Sequence, residues 1–196
     1  MARTVNEKLR EERRKQIMDA ATAMFSRQGF AESAIKDIAK EAGISHASVF
    51  LYFANKEDLF HKVVVEHLDA AKRAYQAELL VEGPPLSKIY ALIEGQIERQ
   101  LKNASFVSLI QYVVGYPERF PALAADLKQF VAEFVDTLIP IIQEAQQLEQ
   151  IQSGDAYYMA WSWFSYISGI GMCDMEYSEE GCKALATNGL RLFGPK

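Results

Sequence analysis

Residues 33–53, SAIKDIAKEAGISHASVFLYF, decide how the chain is read. Ile35, Ile38, Ala39 and Ala42 recur at steps of three and one, which puts them on one face of a helix. Ser33 stands ahead of them, where a hydroxyl can accept a bond from an orphan N–H of the first turn. Gly43 is placed to stop the helix, because glycine enters the left-handed C′ conformation without a Cβ penalty. Ser45 then caps a second short helix anchored by Val49 and Phe53. Two short helices joined by a glycine-bearing turn form a helix-turn-helix plan, whose second helix fits a DNA major groove.

The flanks extend the pattern. Gly29-Phe30 precedes the stretch, Ile38-Ala39 and Ala42-Gly43 lie inside it, and Tyr52-Phe53-x-Asn55-Lys56-Glu57-x-Leu59 follows. Over about residues 14–60 this spaced set resembles the N-terminal domain of TetR-family transcriptional regulators. Farther on, the chain is similar to that family in length and helical style. The resemblance implies phosphate contacts from Ser33, Tyr52 and Lys56, groups that position a protein on DNA without reading sequence. Each has a structural alternative: capping for Ser33, packing for Tyr52, solvent for Lys56. Ser45, His46, Ala47 and Ser48 open helix 3 and are expected to face base edges, with Phe50 beside them. The chain departs from the family pattern at Ala34, Ala47 and Phe50. The Phe50 ring lacks a hydroxyl for phosphate but can meet a thymine methyl, so the operator is expected to be weaker-binding or richer in T.

The 196 residues carry a net charge of −5, unevenly spread. Residues 1–60 hold ten basic against nine acidic side chains, and the remainder holds eleven against seventeen. The basic residues crowd the first fifteen positions (Arg3, Lys8, Arg10, Arg13, Arg14, Lys15), as expected of an arm adding salt-sensitive phosphate contacts or of a solvated tail. Apolar residues at 49% and charged residues at 24% describe a globular chain. No signal-peptide pattern opens the sequence, and two cysteines cannot build a secreted disulfide framework. A cytoplasmic protein without membrane contact is expected.

Periodicity predicts an all-α chain of about nine helices. Helix 1 spans about 13–28 after a frayed arm able to extend it, and Asn55 caps a long helix 4. The break Glu82-Gly83-Pro84-Pro85 precedes helix 5. Helix 6 covers about 105–114. Helix 7 covers about 122–148 and should be kinked by Pro140, which lacks a backbone donor. Helix 8, about 155–175, is apolar on nearly every side, and helix 9 covers about 179–193. The division is an N-terminal helix-turn-helix DNA-binding domain at 1–55 and a ligand-binding and dimerisation domain at 56–196, with helix 4 (about 56–80) as connector.

Ser162, Ser165 and Gly169 form a small stripe on helix 8, and Leu185, Gly189 and Leu192 an apolar face on helix 9. These six residues are the expected homodimer interface. The resemblance further implies an effector pocket after the connector, and Phe106, Tyr112, Phe130, Phe134, Trp161 and Phe164 are its candidate lining.

Enzyme chemistry is missing from the sequence. His46, His61 and His67 show no i, i+4 metal spacing, Cys173 and Cys182 form no CxxC, and phosphate-loop, dinucleotide and nucleophile-elbow motifs are lacking. No catalytic residue, metal or cofactor is expected. The expected function is that of a dimeric DNA-binding regulator, a repressor released from a pseudo-palindromic duplex operator by a small, mainly apolar effector. The rival is a dimeric small-molecule-binding protein that has lost operator binding.

Overall fold

The computed structural model describes residues 2–102, 104–173, 176 and 178–195, without the side chains of 2–6, 104–106 and 108. Among them the chain forms nine α-helices and no strand: α1 (Ala2–Glu32), α2 (Ile35–Glu41), α3 (His46–Val49), α4 (Lys56–Glu78), α5 (Pro85–Lys102), α6 (Ala104–Gly115), α7 (Pro121–Gln147), α8 (Ala156–Met172) and α9 (Glu179–Leu190). A 3₁₀ turn follows at Arg191–Phe193. No helix among the described residues is long and apolar enough to cross a membrane.

The chain divides into two compact units. One comprises Met1–His67 with Ser108–Ala124, the other Leu68–Val107 with Ala125–Lys196. In the first, α1 begins much earlier than its apolar pattern, at Ala2, so the charged arm is helical from there on. The apolar pattern does not mark this because its Lys, Arg and Glu residues are good helix formers that carry no apolar periodicity. Gly29 interrupts the helix with φ 76°, a conformation open to glycine, and α1 resumes to Glu32. Phe30 then turns inward. Its ring centroid lies 5.8 Å from Phe25, 5.0 Å from Phe60 and 5.1 Å from Phe120. Tyr112, 5.8 Å from Phe120, joins the same cluster. Residues 108–124 therefore complete the aromatic core of the helix-turn-helix unit.

The second unit packs Ile89, Leu92, Ile93 and Ile97 of α5 with Phe134, Leu138 and Ile142 of α7 and Ala160, Trp163 and Ile167 of α8. Trp163 is fully buried, and its indole N–H donates to Gln96 Oε1 at 2.6 Å. Pro140 lies within an α7 that runs unbroken from Pro121 to Gln147, on an exposed position. Asp155 caps α8 by accepting from the N–H groups of Tyr157 and Tyr158.

Two readings of the last helices change. Helix 8 is not buried all round: Tyr158, Ser162, Ser165, Gly169 and Met172 form an exposed stripe at steps of three and four. Gly189 faces inward, because a Cβ there would stand 2.6 Å from Trp163 Cζ3 and 3.1 Å from Tyr166 Cε1. It packs α9 onto α8 of the same chain and does not stand on an open surface. Leu185 is half-buried, and its carbonyl accepts the Tyr166 hydroxyl at 2.9 Å. Leu192 remains 36% exposed.

The contact at Gly189 makes a measurable claim. Gly189→Ala should overpack the Trp163 ring at a cost of about 1–3 kcal/mol, lowering the thermal midpoint by about 3–10 °C. A calorimetric scan in which the midpoint is unchanged or raised contradicts the packing.

Candidate nucleic-acid interface

Backbone chemistry sets the angle between α2 and α3. At the end of α2, Ile44 N–H bonds the Ala39 carbonyl at 3.0 Å and Gly43 N–H bonds the Lys40 carbonyl at 3.2 Å. With Gly43 at φ 69°, this is a Schellman closure. A Cβ on Gly43 would meet nothing within 4 Å, so conformation rather than space requires glycine there. Ser45 caps α3: its Oγ accepts the Ser48 N–H at 3.1 Å and lies 2.7 Å from Ser48 Oγ.

Val49 and Phe53 are buried, at 0% and 1% exposure, and this fixes which side of α3 faces out. The outward side carries Ser45, His46 and Ala47, all exposed, then Phe50 at 45% and Leu51 at 73% exposure. The His46 and Phe50 rings meet edge to face at 5.1 Å. Helix α3 is only four residues long, and Phe50 is already its C-cap.

Two expected phosphate ligands are engaged within the chain. Ser33 is 2% exposed, and its hydroxyl donates to the Gly29 carbonyl at 2.7 Å. The N-cap of α2 is Ala34, without a side-chain bond. Ser33 thus secures the carbonyl freed where Gly29 breaks α1, and it offers nothing outward. Lys56 is also spent within the chain. Its ammonium donates to the carbonyls of Phe30 (2.9 Å), Ala31 (3.3 Å) and Ser33 (2.9 Å), and sits 4.3 Å from the Phe30 ring centroid. The last carbonyls of a helix have no partner of their own and attract cations. Lys56 is delivered there by the start of α4. That start is fixed by a reciprocal pair: Asn55 Oδ1 accepts the Asp58 N–H at 2.7 Å, and Asp58 Oδ2 accepts the Ala54 N–H at 2.8 Å.

Tyr52 is half-buried and stands beside α3. It borders a cleft of about 510 Å³ with Leu9, Arg10, Arg13 and Leu51. An adjoining cleft of about 300 Å³ is lined by Arg13, Gly43, Ile44, Ser45, Ser48, Leu51 and Tyr52. Arg10 and Arg13 are exposed. They bring positive charge to the edge of the α3 face, as an anionic partner requires. The sequence points to both arginines only as members of the basic N-terminal cluster, and it does not point to Leu51. The crowding of basic residues before position 15 was the signal for the arginines, but a four-residue α3 gave no period by which to place Leu51.

The six candidate effector residues do not all come together. The Phe106 side chain lies outside the described residues. Tyr112 packs in the first unit's aromatic core, apart from the candidates in the second unit. Phe134, Phe164 and Trp161 form a chain of ring contacts in the second unit, at 6.2 and 5.6 Å, and Phe130 meets Tyr75 at 6.1 Å. Phe134 is core at 2% exposure. The Trp161 indole N–H is buried without a hydrogen-bond partner among the described residues.

Residues 17–63 match the family model described as bacterial regulatory proteins, tetR family. The chain is 33% identical over 73 residues to the uncharacterised HTH-type transcriptional regulator YfiR of Bacillus subtilis, covering 37% of this chain but only 36% of that protein. It is 28% identical over 155 residues to the HTH-type transcriptional regulator RutR of Escherichia coli K12, covering 76% of this chain and 71% of RutR. Among solved structures, AibR in complex with isovaleryl coenzyme A and operator DNA superimposes with a TM-score of 0.74. That match has 17% identity and covers 94% of this chain and all of the other.

The Lys56 geometry predicts a structural phenotype. Removing the ammonium in Lys56→Ala leaves three carbonyls without it and should destabilise the protein by about 2 kcal/mol, the scale of charged hydrogen bonds. Urea denaturation measures this directly. Stability equal to wild type would show the ammonium to be free for an external anion.

Proposed function

We propose that this chain, which belongs to the TetR family of bacterial regulators, binds double-stranded DNA as a homodimer and represses transcription until an effector releases it. The outward face of α3, flanked by Arg10, Arg13 and Tyr52, carries the reading. A short helix with small residues at its exposed start can approach base edges, and the arginines supply sequence-independent attraction to phosphates. Two copies related by a two-fold axis would set their α3 helices in successive major grooves, roughly 34 Å or a small multiple apart. The operator would then be pseudo-palindromic.

The exposed stripe of Ser162, Ser165 and Gly169 on α8 suits the close approach of a second copy, since a Cβ on Gly169 would meet nothing within 4 Å in this chain. Leu192 and the half-buried Leu185 fall within the same proposed dimer surface. The rival reading, a ligand-binding dimer without an operator, leaves unexplained why positive charge gathers at the edge of α3.

The effector we propose is mainly apolar, with an acceptor oxygen. Phe130, Phe134, Trp161 and Phe164 supply aromatic surface, and the unpartnered Trp161 N–H is a donor that a carbonyl would satisfy. Acyl thioesters have that chemistry, and AibR was solved with one. Release requires the ligand to favour the non-binding state, and a difference of about 2 kcal/mol gives a thirtyfold effect. Helix α4 begins with Lys56. A shift of its first turn would pull the ammonium from its three carbonyls and disturb α2 and α3.

Fluorescence anisotropy with duplexes from upstream of the chain's own gene should detect tight binding. Arg13→Ala should lower the slope of log affinity against log salt by about one. Binding of wild type that matches its binding to random duplex at every salt concentration contradicts the regulator reading. In sedimentation, Gly169→Leu should shift a dimer toward monomer, and a wild type monomeric at micromolar concentration removes the dimer. Trp161→Phe keeps an aromatic side chain, though a smaller one, and removes the indole donor. Isovaleryl coenzyme A, the first probe, should bind about tenfold more weakly to this variant, a loss of one hydrogen bond, with operator affinity unchanged. A simultaneous loss of operator binding would make Trp161 a core residue only.

A further inference from the structure

The turn and α3 contain an unusual lack. Residues 42–54, AGISHASVFLYFA, carry no charged and no carboxamide side chain. The side chains that read major-groove edges by paired hydrogen bonds are arginine or lysine on guanine and asparagine or glutamine on adenine. None is available here. Of the hydroxyls, Ser45 Oγ is engaged by the Ser48 N–H and by Ser48 Oγ, so both serines turn part of their bonding capacity toward each other. His46 supplies an imidazole, whose ring edge meets Phe50.

The same face is rich in exposed apolar surface. Phe50 and Leu51 are adjacent and 45% and 73% exposed, and Ala47 is exposed beside them. Leu51 also borders both clefts that hold Arg13 and Tyr52. A protruding leucine and phenylalanine at a rim of positive charge match one kind of surface. It must present small apolar groups on a floor edged by phosphates. In the major groove of B-DNA the group that answers this description is the C5-methyl of thymine.

We propose that this chain reads its operator mainly through apolar contact of Phe50 and Leu51 with thymine C5-methyl groups, not through hydrogen bonds to guanine. The inference rests on the duplex-binding reading above and adds the chemistry by which sequence is discriminated. Arg10 and Arg13 then hold the duplex without choosing it, and His46 adds at most a polar contact next to the methyl-reading pair. Phe50 and Leu51 are the specificity-determining residues.

The test uses the full chain and a random-sequence duplex pool. Bound duplexes are selected over several rounds, and the enriched site is resynthesised with deoxyuridine in place of thymidine, one position at a time. Deoxyuridine pairs identically and lacks only the methyl. At one or more enriched thymines in each half-site, the exchange should weaken binding about fourfold, the value of one buried methyl-sized group. In Leu51→Ala or Phe50→Ala, the ratio of thymidine to deoxyuridine affinity should fall toward one, whereas Arg13→Ala should weaken both duplexes alike and leave that ratio at its wild-type value. Both side chains project from the surface, and matched circular dichroism spectra identify folded variants.

Deoxyuridine exchange without effect at every enriched thymine, or enrichment of guanine with no required thymine, overturns the inference and leaves duplex binding intact. A methyl effect that persists undiminished in both variants likewise overturns the roles of Phe50 and Leu51. A chain that retains no duplex at low salt overturns both this inference and the duplex-binding reading beneath it.

Discussion

One ammonium group holds the helix-turn-helix unit in register. Where Gly29 breaks α1, the chain must turn sharply and leaves carbonyls without helical partners. Ser33 satisfies one from its own hydroxyl, and Lys56 gathers the carbonyls of Phe30, Ala31 and Ser33 from twenty-odd residues away. The start of α4 is thereby tied to the end of α1 and the entry to α2. Phe30 is fixed by the same contact, with Lys56 over its ring and Phe25, Phe60 and Phe120 packed against it. The outward face of α3 keeps its angle because Val49 and Phe53 are buried in this unit.

That arrangement divides labour differently from the family pattern. The lysine and serine at positions associated with phosphate contact are occupied inside the chain. Positive charge is brought to α3 instead by Arg10 and Arg13, on the early turns of α1. The α3 face itself carries small, hydroxylic and apolar side chains with one imidazole, His46. In the proposed DNA complex, attraction and selection would fall to different elements: cations that respond to salt, and apolar groups that respond to shape and to the thymine methyl.

Much of this was legible in the sequence, because local chemistry fixes it. The glycine stop at Gly43, the serine cap at Ser45 and the asparagine cap at Asn55 appear in the structure with their expected bonds. The all-α class followed from apolar steps of three and four. What could not be read is where long-range partners meet. Nothing near Lys56 in sequence tells that three carbonyls await it, and Ser33 looks like a cap because the break at Gly29 lies outside the capping pattern. Gly189 resembles an interface glycine by composition, yet it accommodates Trp163 of the same chain. The start of α1 before Arg13 is rich in charge, with Val5 and Leu9 its only large apolar residues, too few to mark where the helix begins.

In the proposed complex, a two-fold pair of α3 faces docks on duplex DNA. Hydroxyl-radical footprinting on the region upstream of the chain's own gene examines that most directly. Two protected patches should appear, symmetric about a centre and separated by one helical turn, roughly 34 Å, or a small multiple of it. Protection that is continuous and without symmetry, or that is absent while the protein remains folded at micromolar concentration, would contradict it.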